Sequence, residues 1–151
     1  MNKFFSPQPI AQNYGLALVR IVTGILLLWH GWETFDAEKM KMYTGWFTER
    51  KYPYPETWAY AGKVTELLAG IGFILGLFTR LAAVASILAF TGIIFLLGDK
   101  GKIFQGDQHP FLFILLSLIF LFTGPGALSL DRVIFRNGSG RSKSSKFFLK
   151  Q

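Results

Sequence analysis

Cysteine is absent from the 151-residue sequence, and charged side chains are sparse. Without a thiol, the chain offers no disulfide, no thiolate nucleophile, no iron–sulfur cluster and no covalent haem attachment. Charged residues make up 17% of the chain and hydrophobic residues 51%. The apolar residues come in long blocks, whereas a soluble domain of this length mixes them with polar ones. The composition therefore indicates an integral membrane protein that does no sulfur chemistry of its own.

Four apolar blocks predict an all-α fold, a bundle of four transmembrane helices. A helix needs about 20 mostly apolar residues to cross the hydrocarbon core of a bilayer. The predicted spans are residues 14–35, 57–78, 80–98 and 110–124. The first block ends without a small-residue cleavage site, so we expect a retained helix and not a signal peptide. Residues 1–136 then form one transmembrane domain, and we expect the basic residues 137–151 to be a disordered cytoplasmic tail.

The net charge of +7 raises the question of nucleic-acid binding. We expect no nucleic-acid partner, because the basic residues flank the spans or crowd the tail and form no folded basic surface. Membrane lipids and other membrane subunits are the expected partners. The side that holds both termini carries more lysine and arginine than the other side, which places both termini in the cytoplasm. Residues 36–56 carry aromatic rings among charges, which predicts a short amphipathic helix in the membrane interface.

Ionisable residues inside the predicted spans are candidates for function, because a charge within a bilayer is costly. Glu66 and His30 are the candidate catalytic residues, as groups that exchange protons. Arg20, Lys63 and Trp29 are the candidate ligand-binding residues. These side chains lie from the middle of the membrane outward in the predicted spans.

Glycines predict how two of these groups meet. Arg20 shares one face of the first span with Gly24 and Gly31, and Glu66 shares one face of the second span with Gly70. Glycine faces let two helices approach closely. We therefore expect Arg20 to pair with Glu66, either as a buried salt bridge that only fixes packing or as the polar floor of a ligand or proton site.

Two further charged groups are interpreted as structural. Arg80 and Asp131 both lie at the cytoplasmic ends of predicted spans, and we expect them to form an ion pair that closes the bundle. Glu33 lies close to the outer surface and is interpreted as an interfacial carboxylate.

The two histidines raise the question of haem or a metal ion. His30 lies more than one turn inside the outer surface, whereas His109 begins the fourth span. Their depths match poorly for a shared haem iron, and no spaced ligand motif predicts a metal site. We expect neither a metal nor a covalently bound cofactor.

Several fragments in this order resemble the DoxX family across almost the whole chain. They are Arg20, Trp29-His30-Gly31-Trp32, Glu66-Leu67-Leu68-Ala69-Gly70, Gly76-Leu77-Phe78-Thr79-Arg80-Leu81-Ala82-Ala83 and Gly124-Pro125-Gly126-Ala127-Leu128-Ser129-Leu130-Asp131. The resemblance implies a four-helix protein of the bacterial or archaeal cytoplasmic membrane. It also implies a link to quinone-coupled oxidation, because some relatives are the membrane part of a thiosulfate:quinone oxidoreductase.

Three functions remain open at this point. The first is a membrane subunit of a quinone-linked redox complex, with quinone near His30 and Glu66 and electrons supplied by a partner. The second is a non-catalytic accessory subunit of a larger membrane complex, and the third is a carrier of a lipid or hydrophobic solute. An open cleft around His30 and Glu66 favours the first function, whereas a dry seam with Arg20 against Glu66 favours the second.

Overall fold

The described part of the chain consists of helices joined by short turns. The computed structural model describes residues 11–98 and 106–135, and no strand occurs among them. The elements are α1 (Gln12–Trp32), a 3-10 turn (Glu33–Phe35), α2 (Ala37–Glu49), α3 (Pro55–Leu75), α4 (Thr79–Gly92) with a π-helical continuation (Ile93–Leu97), α5 (Gln108–Thr123) and α6 (Leu130–Phe135). The all-α prediction is confirmed for these residues, and the predicted tail 137–151 lies outside them.

The boundaries of α3 show which local signals decide where a helix begins and ends. Pro55 occupies the first turn, where its missing N–H costs no hydrogen bond. The helix stops at Leu75 because Gly76 adopts φ 62°, the left-handed conformation that glycine tolerates best. The N–H of Leu77 then donates to the Gly72 carbonyl at 3.0 Å. Only residues 76–78 connect α3 to α4, so the two helices form a tight hairpin.

Glycines hold α1 and α3 in close antiparallel contact, as their faces predicted. A Cβ on Gly24 would lie 2.8 Å from the carbonyl oxygen of Gly70, and a Cβ on Gly31 would lie 2.3 Å from the backbone nitrogen of Leu67. No side chain fits at such distances, so only glycine permits this approach. Gly31 therefore lies level with Leu67, and the register between the two helices follows from these contacts.

Aromatic side chains join the remaining long helices. Phe73 of α3 contacts Phe120 of α5 with ring centroids 5.1 Å apart. Phe90 of α4 stacks on Phe113 of α5 at 4.9 Å. These rings belong to one buried cluster with Leu27 of α1. The core thus connects α1, α3, α4 and α5.

The predicted helix within residues 36–56 is present as α2. Its first turn is capped by the Asp36 carboxylate, which accepts from the backbone N–H groups of Glu38 and Lys39. Met40 and Phe47 on the inner face of α2 pack against Ala59 of α3 in a second buried cluster. This packing places α2 beside α3 and makes it one wall of a cavity.

The outer faces of the long helices are strongly apolar. Two stretches, Gln12–Phe35 and Thr79–Leu97, are long and apolar enough to cross a membrane, and Gln108–Thr123 is apolar but shorter. Their exposed side chains include Leu18, Leu26, Leu81, Leu88, Phe95 and Phe122. A soluble monomer rarely exposes a contiguous apolar surface of this kind.

Candidate ligand-binding cavity

A cavity of about 640 Å³ lies between α2, α3, the π-helical turn after α4 and the start of α5. Its polar lining includes His30, Lys63, Glu66 and His109. Phe90 and Trp58 supply aromatic surface. The cavity therefore combines an apolar wall with a few convergent polar groups, as small-molecule sites do. Three of the residues predicted from the sequence, His30, Lys63 and Glu66, come together here.

Lys63 is the centre of an ion network on one wall of the cavity. Its ammonium nitrogen lies 3.0 Å from Glu66 Oε2 and 3.0 Å from Glu33 Oε2. Lys63 and Glu66 are three residues apart on α3, so both side chains project from the same face of the helix. The Glu66 side chain is 4% exposed and that of Lys63 is 13% exposed. A buried carboxylate of this kind is retained when a cation and hydrogen bonds compensate for its lost hydration.

Glu33 extends this network to the surface. Its Oε1 accepts from Lys39 Nζ at 2.6 Å, and its Oε2 accepts from the Tyr43 hydroxyl at 2.5 Å. The Lys39 side chain is 46% exposed. Burial and the hydrogen bond to the Glu33 carboxylate raise the pKa of the Tyr43 phenol, so this hydroxyl stays a donor at neutral pH. Glu33 is thus bound to two groups of α2, a role that its predicted position near the surface did not indicate.

His30 and His109 lie side by side at the cavity. Their ring centroids are 5.0 Å apart in an edge-to-face arrangement. The Phe113 ring lies beneath both, 6.2 Å from His30 and 5.0 Å from His109. The expectation that their depths match poorly was wrong, because the start of α5 lies level with the last turn of α1. Sequence reasoning considered His109 only as a haem or metal ligand with His30 and did not assign it to the site, where the structure places it.

Arg20 and Glu66 do not pair, contrary to the expectation from their glycine faces. The guanidinium of Arg20 donates from Nη2 to the Leu128 carbonyl at 2.7 Å and lies against Gly76. Glu66 lies one residue before Leu67, which is level with Gly31. Arg20 is therefore about 15 Å further along α3 than Glu66, at a rise of 1.5 Å per residue. The helical period predicts on which face of the helix each residue lies. It does not predict which residue of the neighbouring helix lies at the same position along the axis.

Arg20 is also displaced from the predicted ligand site. Its side chain is fully buried, and Nε and Nη1 have no hydrogen-bond partner among the described residues. It lies at the end of the molecule opposite the cavity, beside the turn that leads into α6. Trp29 does not line the cavity either, because its side chain is 77% exposed on the outer face of α1.

Asp131 binds backbone and not the predicted arginine. Its carboxylate oxygens accept from the N–H of Phe78 at 2.7 Å and of Thr79 at 2.9 Å, which caps the start of α4. Within residues 11–98 and 106–135, no ion pair joins Asp131 to Arg80. Asp131 therefore still joins α6 to the start of α4, which is a structural role as predicted. Its partners are two backbone N–H groups and not the Arg80 side chain.

Metal-ligating side chains do not cluster in the part of the chain that is described. No group of three or more histidine, aspartate or glutamate side chains there has a geometry that could hold a metal ion. The cavity is instead lined by hydrogen-bond donors, acceptors and aromatic rings.

The chain is similar to known proteins over most of its length. The DoxX family model matches residues 15–99. An uncharacterized protein of Haemophilus influenzae is 32% identical over 129 residues, which cover 82% of this chain and 92% of that protein. A Bacillus subtilis protein named "Putative oxidoreductase CatD" is 28% identical over 137 residues, covering 90% of this chain and 93% of that protein. No solved structure matches the chain. The resemblance seen in the sequence is thereby confirmed, and the chain belongs to the DoxX family.

Proposed function

We propose that this protein is a membrane subunit of a quinone-linked redox complex and that it binds the quinone head group in the cavity between His30, His109 and Glu66. The observation that carries the proposal is the cavity itself. Its volume of about 640 Å³ is in the range of about 300–1,000 Å³ typical of small-molecule sites. The name of the Bacillus subtilis relative supports a redox role.

The proposed setting is the bacterial or archaeal cytoplasmic membrane. In this proposal α1, α3, α4 and α5 span the bilayer as a four-helix bundle, and both termini lie in the cytoplasm. The apolar outer faces of these helices and the two long apolar stretches support that arrangement. The bias of lysine and arginine toward the side of the termini supports the orientation. The cavity and α2 then lie at the outer surface, where a quinone can enter from the lipid.

The histidines and the aromatic rings provide the contacts that a quinone head group needs. A quinone has two carbonyl oxygens that accept hydrogen bonds and a flat ring that packs on aromatic side chains. His30 and His109 both line the cavity, and a neutral imidazole can donate a hydrogen bond from one ring nitrogen and accept one at the other. The Phe90 ring, stacked on Phe113, forms an apolar wall against which a flat ring can lie.

The ion network provides a route for protons between the cavity and the surface. Conversion of a quinone to a quinol takes up electrons and protons in equal number. Glu66 lines the cavity, and the Lys63 ammonium joins its carboxylate to that of Glu33. Lys63 can donate a proton to Glu66 and recover one from the exposed Lys39 through the Glu33 carboxylate, whose two oxygens contact the two lysines. Lys39 then takes up a proton from solvent. Charge is conserved at each step, because every proton that leaves one group is bound by the next.

The electrons have to come from a partner subunit. The sequence holds no cysteine for a cluster or a disulfide relay. The extensive apolar surface of the outer faces leaves room for a second membrane subunit. The alternative of a non-catalytic accessory subunit requires a dry, close-packed seam around Glu66, and the cavity volume argues against it.

Purification of the full chain with its partners tests the proposal. The complex is extracted in mild detergent from the native membrane, and quinone reduction is measured with the electron donor that copurifies. We expect turnover to be abolished in Glu66→Gln, which cannot exchange a proton, and retained in Glu56→Gln, outside the cavity lining. Equal turnover in the wild type and Glu66→Gln would rule out Glu66 as the proton carrier, and a complex without quinone reductase activity would contradict the function.

A further inference from the structure

A second cavity lies at the opposite end of the molecule, between the start of α4 and the short helix α6. Its volume is about 760 Å³. Phe78, Leu81 and Phe135 form its apolar walls, and Arg80 and Arg132 contribute the cationic groups. No residue is shared with the cavity that contains His30 and Glu66. The two cavities are therefore separate sites, and the role of this one rests on the proposed membrane setting of the chain but not on quinone binding.

Neither arginine of this cavity has a carboxylate partner within the described part of the chain. Asp131 is the acidic residue in the lining, and its two oxygens accept from the backbone N–H groups of Phe78 and Thr79. Among the described residues, neither Arg80 nor Arg132 takes part in an ion pair. Both side chains are exposed. The cavity thus has excess positive charge that an external anion can neutralise.

The aromatic side chains that line this cavity are exposed at the surface of the protein. Phe78 is 55% exposed. Its backbone adopts φ 47°, a conformation that is unfavourable for a residue with a Cβ. The Asp131 carboxylate stabilises this conformation by accepting the Phe78 N–H at 2.7 Å. The Phe135 ring, which also lines the cavity, lies 6.4 Å from the Phe78 ring in an edge-to-face arrangement. The two aromatic rings and the two guanidinium groups therefore form a site with an apolar part and a cationic part.

We propose that this cavity binds an anionic phospholipid, with its phosphate on Arg80 and Arg132 and part of an acyl chain along Phe78, Leu81 and Phe135. Guanidinium groups bind phosphate oxygens through paired, charge-assisted hydrogen bonds. Basic pockets at the cytoplasmic ends of membrane helices recognise anionic head groups in this way. A free phosphate ion uses the same arginines but gains nothing from the apolar walls. The charge and the walls together therefore favour a lipid.

Native mass spectrometry of the full chain in mild detergent tests this proposal. Phosphatidylglycerol, phosphatidylcholine and inorganic phosphate are added separately at equal concentration. We expect the wild type to retain one phosphatidylglycerol in preference to phosphatidylcholine. Arg80→Gln/Arg132→Gln should weaken that retention about tenfold or more, a loss expected when two charge-assisted contacts are removed.

A matched variant controls for the loss of charge alone. Lys41→Gln/Lys51→Gln removes two exposed positive charges from the other end of the molecule and should retain phosphatidylglycerol as the wild type does. Thermal unfolding checks that both variants are folded. We expect that they are, because all four substituted side chains are exposed. Equal retention in the two double variants, or equal retention of the two lipids by the wild type, would overturn the proposal. Displacement of the lipid by millimolar inorganic phosphate would also overturn it, because the site would then recognise a small anion.

Discussion

The imidazole rings of His30 and His109 lie 5.0 Å apart, although one ends the first long helix and the other begins the last. Their contact means that α1 and α5 present two hydrogen-bonding rings to one cavity. Within the proposed function, each ring contacts a different atom of the same head group. Both histidines therefore contribute to quinone affinity, and not only the one that sequence reasoning selected.

Single substitutions test the equivalence of the two histidines. His30→Ala and His109→Ala should each weaken quinone binding about fivefold, because each loses a hydrogen bond that contributes about 1 kcal/mol. The measurement is a quinone titration of the purified full chain, with Trp29→Phe as the control because Trp29 faces away from the cavity. An unchanged affinity for His109→Ala would show that the second ring takes no part.

Because α1 and α3 are in close contact, we expect one methyl group added at their interface to lower the stability of the protein strongly. In Gly31→Ala the new Cβ would lie 2.4 Å from the Leu67 Cα, and backbone atoms cannot move aside without separating the helices. We expect the free energy of unfolding to fall by about 3 kcal/mol. Gly15→Ala in the same helix is the control, because nothing lies within 4 Å of its Cβ position. Unfolding in mixed detergent micelles measures both, and equal stability of the two variants would contradict the close contact.

Removal of Lys63 should cost more stability than removal of the surface lysine in the same network. Lys63→Met leaves the buried Glu66 and the half-buried Glu33 without their shared cation, which we expect to lower the free energy of unfolding by about 3 kcal/mol. Lys39→Met should cost less than about 1 kcal/mol, because solvent screens an exposed ion pair. The ranking is measured by the same unfolding assay. A larger loss of stability in Lys39→Met than in Lys63→Met would contradict this ranking and show that the exposed ion pair contributes more than the buried one.

A double-mutant cycle distinguishes the observed position of Arg20 from the pairing that its glycine face suggested. Arg20→Met and Glu66→Gln should be additive in the free energy of unfolding within about 0.5 kcal/mol, because the residues are far apart and share no partner. Coupling above about 1 kcal/mol would mean that Arg20 and Glu66 interact directly.

Much of the fold could be predicted from composition and local signals. Long apolar blocks locate helices because an apolar face has to be buried or placed in lipid. Gly24, Gly31 and Gly70 indicated the faces on which α1 and α3 meet, and those contacts are present. The end of α3 was placed three residues too late, although Gly76 in the left-handed conformation explains where it stops.

The candidate site was predicted only in part, because a helical face does not determine the height of a residue against its neighbour. That height depends on the register of α1 against α3, which packing between Gly31 and Leu67 sets. The partner of Glu66 is accordingly Lys63 on its own helix and not Arg20. Tyr43 could not be assigned, because its position follows from how α2 folds back over α3.

If the cavity beside His30 and Glu66 holds a quinone, a side chain that fills the cavity should exclude it. Gly62 lines the cavity and has nothing within 4 Å of its Cβ position, so Gly62→Leu adds a side chain there without a clash at the backbone. A Trp29→Phe/Trp32→Phe background leaves two tryptophans, Trp46 and Trp58, both of which line the cavity.

The measurement is quenching of this remaining tryptophan fluorescence by a short-chain quinone. We expect saturable quenching in the Trp29→Phe/Trp32→Phe protein and a loss of affinity of about tenfold or more when Gly62→Leu is added to it. Binding should be unchanged when Gly15→Leu is added instead, because that substitution places the same side chain outside the cavity. Equal quenching with and without Gly62→Leu would show that no quinone occupies the cavity.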